Sequence, residues 1–146
     1  MTQRLTFQDA SKDVLDILMK GENYLKAGGL DPRLLELMKY RVSQINGCAR
    51  CLDMHHKAAI HMGETEQRLH TLAAWRDCPY YSDKERAVLA FAEALTNINH
   101  QDIDDPLFDT LSGLFSKNEI VDLTLAITQI NTWNRFNRTF RTTPGN

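Results

Sequence analysis

The sequence predicts an all-α fold, on three observations. No run of alternating apolar and polar residues is bounded by hairpin turns, so strands are not expected. Helix start and stop signals recur along the whole chain. Between them the apolar residues return at helical spacing. A first helix is expected from about Asp9 to Ala27, with Val14, Leu15, Ile17, Leu18 and Leu25 as its apolar residues and Gly28-Gly29 as its stop. Asp31-Pro32 opens a second, because aspartate caps free amides and proline is pre-set for the first helical position. It continues through Leu34, Leu37, Met38 and Ile45 and ends at Asn46-Gly47. A third starts at or just before Cys48 and runs to about Met62, stopped by Gly63. A fourth spans about Thr65 to Trp75, before the breaker stretch Asp77-Cys78-Pro79.

Ser82-Asp83-Lys84-Glu85 matches a capping box and opens a fifth helix to about Leu95. The polar stretch Asn97 to Asp104 reads as a loop, after which Asp105-Pro106 repeats the aspartate-proline start. Ser116-Lys117-Asn118-Glu119 is a second capping box and opens a long last helix to about Phe140. The tail from Thr142 to Asn146 is expected to fray. In the last helix Ile120, Leu123, Ile127 and Ile130 form one face, and Val121, Leu125, Trp133, Phe136 and Phe140 widen it. So broad an apolar surface belongs at the centre of a core or in an interface. The whole is one domain, residues 1–146, of about six or seven helices.

At 146 residues the chain can bury a core without a disulfide staple or structural metal. Its 42% hydrophobic and 25% charged residues match a soluble globular protein. A net charge of −2 offers no footprint for nucleic acid. No stretch is long and apolar enough to span a bilayer, and the N-terminus has no apolar run fit for a signal peptide. The expected setting is the cytoplasm, where thiols are kept reduced. There are three cysteines, two of them close together and Cys78 apart, which is not a disulfide framework. A CxxC in a reducing compartment points to redox chemistry or metal binding.

The chemistry concentrates in Cys48-Ala49-Arg50-Cys51-Leu52-Asp53-Met54-His55. Cys48, Cys51 and His55 stand at i, i+3 and i+7, one face of a helix. Gly47 places Cys48 at the helix N-terminus, where unpaired amides and the macrodipole favour a thiolate, and Arg50 adds positive charge. His55 lies one turn beyond Cys51 and can accept or relay its proton. Together these supply a nucleophilic thiolate, a resolving thiol and a base.

Other readings compete. Structural zinc wants four ligands, and no second CxxC is present. Covalent haem attachment needs a histidine directly after the second cysteine, where Leu52 stands. The two cysteines could be inert apolar residues. A thioredoxin-like motif would follow a strand in an α/β pattern, which is missing. His56, His61, His70 and His100 read as surface or loop residues, and Cys78 as a structural or incidental thiol. Trp75, Tyr80 and Tyr81 could line a pocket mouth, with core packing the better reading. No flavin, haem or nicotinamide fingerprint occurs, so no cofactor is expected and the reductant must come from outside.

These residues resemble the AhpD-like alkylhydroperoxidases of the carboxymuconolactone decarboxylase superfamily. That family's redox signature is a glutamate, eleven residues, CxxC, three residues and a histidine. Glu36, Cys48, Cys51 and His55 match all four positions. The approach Arg41-Val42-Ser43-Gln44-Ile45-Asn46-Gly47 and the later Asn131-Thr132-Trp133-Asn134-Arg135 are also similar, so the resemblance covers about residues 29–135. Well-known members carry a histidine where Arg50 stands, and the decarboxylase members lack the CxxC pair.

The resemblance implies a catalytic set of Glu36, Cys48, Cys51 and His55, with Glu36 charging His55 through water and His55 drawing a proton from the cysteine pair. Periodicity alone would make Glu36 a solvated helix charge beside Leu34, Leu35 and Leu37. It implies a small-molecule peroxide as substrate, an external thiol or dithiol protein as reductant, and a homo-oligomer, trimer or hexamer. Two alternatives remain: a decarboxylase or lactone enzyme in which His55 is the acid or base, and a non-catalytic helical assembly module. Which cysteine meets peroxide first is open at this point.

Overall fold

The computed structural model of the chain describes residues 2–145. Its regular structure is seven α-helices and two 3-10 turns, with no strand among the described residues. The helices are α1 (Lys12–Ala27), α2 (Pro32–Asn46), α3 (Ala49–His61), α4 (Glu66–Thr71), α5 (Asp83–Thr96), α6 (Asp105–Leu114) and α7 (Lys117–Phe140). No helix among the described residues is long and apolar enough to cross a membrane.

The start signals act as their chemistry requires. Asp31 accepts from the Arg33 amide at 2.9 Å with Pro32 next to it. Ser82 and Ser116 each close a full capping box, with Glu85 and Glu119 returning the bond to the cap amide. Three boundaries depart from expectation. Asp9 does not open α1, because its carboxylate is engaged by the Thr6 amide at 2.7 Å and the Thr6 hydroxyl at 2.9 Å in the 3-10 turn Phe7–Asp9. Ser11 caps α1 instead. The expected single helix from Thr65 to Trp75 is α4 followed by a 3-10 turn, Leu72–Asp77, with Ala74 out of helical geometry. Past that kink the Trp75 indole N–H reaches Glu93 Oε1 at 2.9 Å. Asp104, not Asp105, caps α6 and leaves Pro106 one position deeper in the first turn.

α2 packs against α3, α5 and α7, and this position buries it on nearly every side. Leu34, Leu35, Met38 and Val42 enter the larger apolar cluster with Val88, Leu123 and Ile127. Leu37 faces a second cluster with Leu69, Leu72, Trp75, Tyr81 and Leu89. Trp75 and Tyr81 are therefore core residues, while Tyr80 is exposed.

On α7, Ile120, Leu123, Ile127 and Ile130 are buried as one face. The residues that widen it are mostly covered from within the chain: Phe7 packs on Trp133, Phe136 and Phe140. Val121 alone of that group stays open, 65% exposed. The described part of the tail, expected to fray, is hydrogen-bonded to the helices. The Thr142 amide donates to Asn137 O at 3.0 Å, and the Gly145 amide to the Asp53 carboxylate at 3.1 Å. Asn146 lies outside the described residues. The N-terminal segment is pinned to the same end of α7, with the Arg4 amide on Phe140 O at 2.8 Å.

One buried charge ties three elements together. Glu93 of α5 accepts from Arg41 of α2 at 2.8 Å, from the Trp75 indole and from Arg76. Burial pushes its carboxyl up, but the bonds from Trp75, Arg76 and Arg41 outweigh that and hold it below the ordinary value of 4.5. Glu93→Ala strands Arg41 and the indole, and should cost about 3 kcal/mol in urea unfolding. A carboxyl depressed in the folded state stabilises above its unfolded pKa and loses that contribution as pH falls through the depressed value. Wild type should therefore lose stability below about pH 4.5 more steeply than Glu93→Ala; parallel acid curves would show that Glu93 carries no such linkage.

Candidate active site

The site is built at the turn between α2 and α3, which is only two residues long. Gly47 takes the left-handed conformation, φ 62° and ψ 40°, that ends α2. Its amide donates to Gln44 O at 3.2 Å and the Cys48 amide to Ser43 O at 3.1 Å, the paired bonds of a Schellman termination. Cys48 then caps α3: its sulfur accepts from the Cys51 amide at 3.3 Å. The two sulfurs are bonded as a disulfide, with Cα atoms 5.3 Å apart. Cys51 is fully buried and Cys48 is 2% exposed.

His55 follows Cys51 by one turn on the same face of α3 and is also buried. Its Nδ1 lies 2.7 Å from Glu36 Oε2. A carboxylate at Nδ1 fixes the proton on that nitrogen and leaves Nε2 as the proton acceptor. Nε2 is buried with no hydrogen-bond partner among the described residues. His55 thus keeps one ring nitrogen uncommitted to any protein group, on a side chain that shares a helix face with Cys51.

Glu36 is not a solvated charge, as helical spacing alone suggested, and it meets His55 directly rather than through water. The packing of α2 against both α3 and α7 draws its face inside. Burial pushes the Glu36 carboxyl up, but the His55 hydrogen bond and charge, with Lys39 behind them, bring it below the ordinary value. Lys39 Nζ stands 3.5 Å from Glu36 Oε1 and 3.5 Å from Glu22 Oε2. Glu22 in turn accepts from the Trp133 indole at 2.8 Å. A line of alternating charge thus runs from α1 through α2 to His55.

A row of asparagines on α7 joins the site, although in sequence Asn131 and Asn134 stood out only as part of the stretch that resembles the family and Asn137 not at all. Asn131, Asn134 and Asn137 are three residues apart, so they share a face. Asn46 Nδ2 donates to Asn131 Oδ1 and to Asn134 Oδ1, both at 2.9 Å. Asn134 donates to the Ser43 hydroxyl at 3.1 Å, and Asn137 Nδ2 to Cys51 Sγ at 3.6 Å. The signal was present: asparagine is a poor residue inside a helix, so three in register within an apolar one need partners. Lys39 was missed as well, being an ordinary helical lysine in sequence.

Arg50, in the first turn of α3, is half-buried, and Asp53 feels its charge. The remaining candidates lie elsewhere. His56 pairs with Glu66 at 2.9 Å, while His61, His70 and His100 are exposed. Cys78 is a free thiol, half-buried, 3.7 Å from the Thr71 hydroxyl. Among the described residues no three histidine, cysteine or acidic side chains gather to hold a metal ion.

Comparison with known proteins bears on this geometry. The model of the carboxymuconolactone decarboxylase family matches residues 11–94. The uncharacterized protein YdfG of Bacillus subtilis strain 168 is 42% identical over 135 residues, spanning 92% of each chain. A protein of unknown function from Agrobacterium tumefaciens, provisionally named as the antioxidant defence protein AhpD, superposes with a TM-score of 0.94. It is 41% identical, over 99% of both chains. The alkyl hydroperoxide reductase AhpD of Koribacter versatilis is 37% identical over 54 residues, 37% of this chain and 27% of that one.

The arrangement around Glu36 makes a direct expectation. Lys39→Met removes a positive neighbour that helps depress the carboxyl, so Glu36 should titrate closer to 4.5. The carboxyl carbon resonance followed against pH reads this. An unchanged midpoint would show that Lys39 is not coupled to the site.

Proposed function

The chain belongs to the carboxymuconolactone decarboxylase family, and from that premise we propose that it is a thiol peroxidase of the AhpD-like branch. The observation that carries the reading is the bonded pair Cys48–Cys51 at a helix start, one turn from a buried imidazole that a carboxylate orients. One thiolate attacks the outer oxygen of a hydroperoxide; an S–O bond forms, the O–O bond breaks, and the alcohol leaves with a proton. The second thiol attacks the sulfenic sulfur, the S–S bond forms and water leaves. An external thiol or dithiol then returns two electrons to the disulfide.

The chain's residues divide the work. The free amides at the start of α3 and the Asn137 amide donate to the sulfurs and stabilise thiolate. His55 Nε2 takes the thiol proton and returns it to the departing alkoxide or hydroxide, with Glu36 stabilising the imidazolium between the two transfers. Under this reading the protein works where external thiols are plentiful, which favours the cytoplasm. The family resemblance further implies a homo-oligomer, a trimer or hexamer.

Peroxide consumption with dithiothreitol as donor tests the reading. The Ser variant that removes the attacking sulfur, Cys48→Ser or Cys51→Ser, should abolish turnover. The other, given peroxide without dithiothreitol, should consume one equivalent and stop as a sulfenic acid. Full turnover in both single variants would refute the mechanism. Mild peroxide should also remove two hydrogens from the Cys48–Cys51 peptide; absence of that change favours a decarboxylase or lactone enzyme instead.

The relay has its own test. Glu36→Gln and His55→Gln should each slow thiol oxidation by about 10²–10⁴-fold, and the double variant should be little worse than the poorer single one. Additive losses would mean that the two residues do not act as a unit.

A further inference from the structure

A cavity of about 560 Å³ opens beside the disulfide and is lined by Cys48 but not by Cys51. Arg4, Arg50, Arg138 and Arg141 also line it, and no carboxylate does among the described residues. They come from three separate parts of the chain: the N-terminal segment, the start of α3 and the end of α7. Arg138 is anchored through the Asn46 carbonyl at 2.7 Å. Asp53 lies close enough to Arg50 to feel its charge, which leaves an incoming anion to Arg4, Arg138 and Arg141.

Two details suggest a cavity kept for a ligand. Arg141 ends α7 in the left-handed conformation, φ 56° and ψ 45°, and is the only non-glycine residue with positive φ among those described. Glycine or asparagine would make that turn without strain; an arginine there holds a guanidinium at the cavity instead. The next residue, Thr142, also lines the cavity, and its hydroxyl is buried with no partner among the described residues. A buried donor left unsatisfied asks for an incoming acceptor.

We propose that this cavity binds the carboxylate of a small anionic thiol, and that this thiol reduces the disulfide by attacking Cys48. The proposal rests on the redox reading above and names its reductant by chemical class. Guanidinium groups match a carboxylate through paired N–H donors, and of the two cysteines Cys48 is the one that lines the cavity. The thiolate forms a bond to Cys48 Sγ; the Cys48–Cys51 bond breaks, and Cys51 leaves as thiolate onto the Asn137 amide and the His55 side. A second thiolate attacks the external sulfur of the mixed disulfide and frees Cys48. Two thiols are oxidised to one disulfide, the protein gains two electrons, and the two thiol protons end on Cys48 and Cys51.

The test uses the full chain, oxidised with diamide, and two probes that differ only far from sulfur: ω-mercaptohexanoate and ω-mercaptohexanamide. At low ionic strength the acid should reduce the disulfide about tenfold faster than the amide, rates being compared per thiolate. The ratio should fall towards one in about 0.5 M salt. It should fall likewise in the double variant Arg4→Gln, Arg141→Asn, where asparagine keeps the turn and removes the charge. A ratio near one in wild type at low salt, or one that neither salt nor the double variant lowers, overturns the proposal. If the double variant does not fold, the salt dependence of wild type decides. Failure of dithiothreitol to support peroxide turnover would sink the peroxidase reading separately, because diamide supplies the disulfide in this assay without any peroxide.

Discussion

Gly47 can enter the left-handed backbone region that ends α2, and through that one residue Cys48 serves two helices. Its amide completes the termination of α2, while its side chain caps α3. A Cβ at Gly47 would meet nothing closer than Arg138 Nη1 at 3.9 Å, so the requirement is conformational rather than steric. A side chain there would cost roughly 1–2 kcal/mol in that conformation. Lengthening or relaxing the turn would let α3 rotate or slide against α2, and Glu36 would no longer meet His55.

Two buried carboxylates on this scaffold show how environment separates structure from chemistry. Glu93 is held by two guanidinium groups and an indole, none of which gives up a proton near neutrality. Its neighbours keep it charged, and nothing there can exchange. Glu36 is held by an imidazole and a lysine, and the imidazole has a second nitrogen that no protein group among the described residues engages. The same burial therefore makes a clamp at one position and, at the other, a pair whose chemistry would allow the proton transfer proposed above.

Much of this was legible in the residues. Asp31-Pro32, Ser82 and Ser116 mark helix starts because their side chains are local partners for local amides. Cys48, Cys51 and His55 fall on one face by counting alone. Most of what was not legible depends on contacts far along the chain; Asp9, taken by a local partner, is the exception. The kink at Ala74 goes with a bond from Trp75 to Glu93. The burial of Glu36 follows from two helices packing over α2, which periodicity in α2 does not reveal; only the spacing shared with a known family flagged that residue. Asp9 was misread because a three-residue partner, Thr6, took its carboxylate before α1 could use it.

The disulfide spans a sequence separation of only 3. A cross-link that closes so small a ring removes little freedom from the unfolded chain, about 2 kcal/mol by the loop-entropy relation. By the same relation a bridge closing about 100 residues would contribute about 4.7 kcal/mol, against the roughly 5–15 kcal/mol that holds an ordinary domain together. If the pair cycles as proposed, so short a ring keeps the stability gap between the oxidised and reduced chain near the low end of what a disulfide imposes.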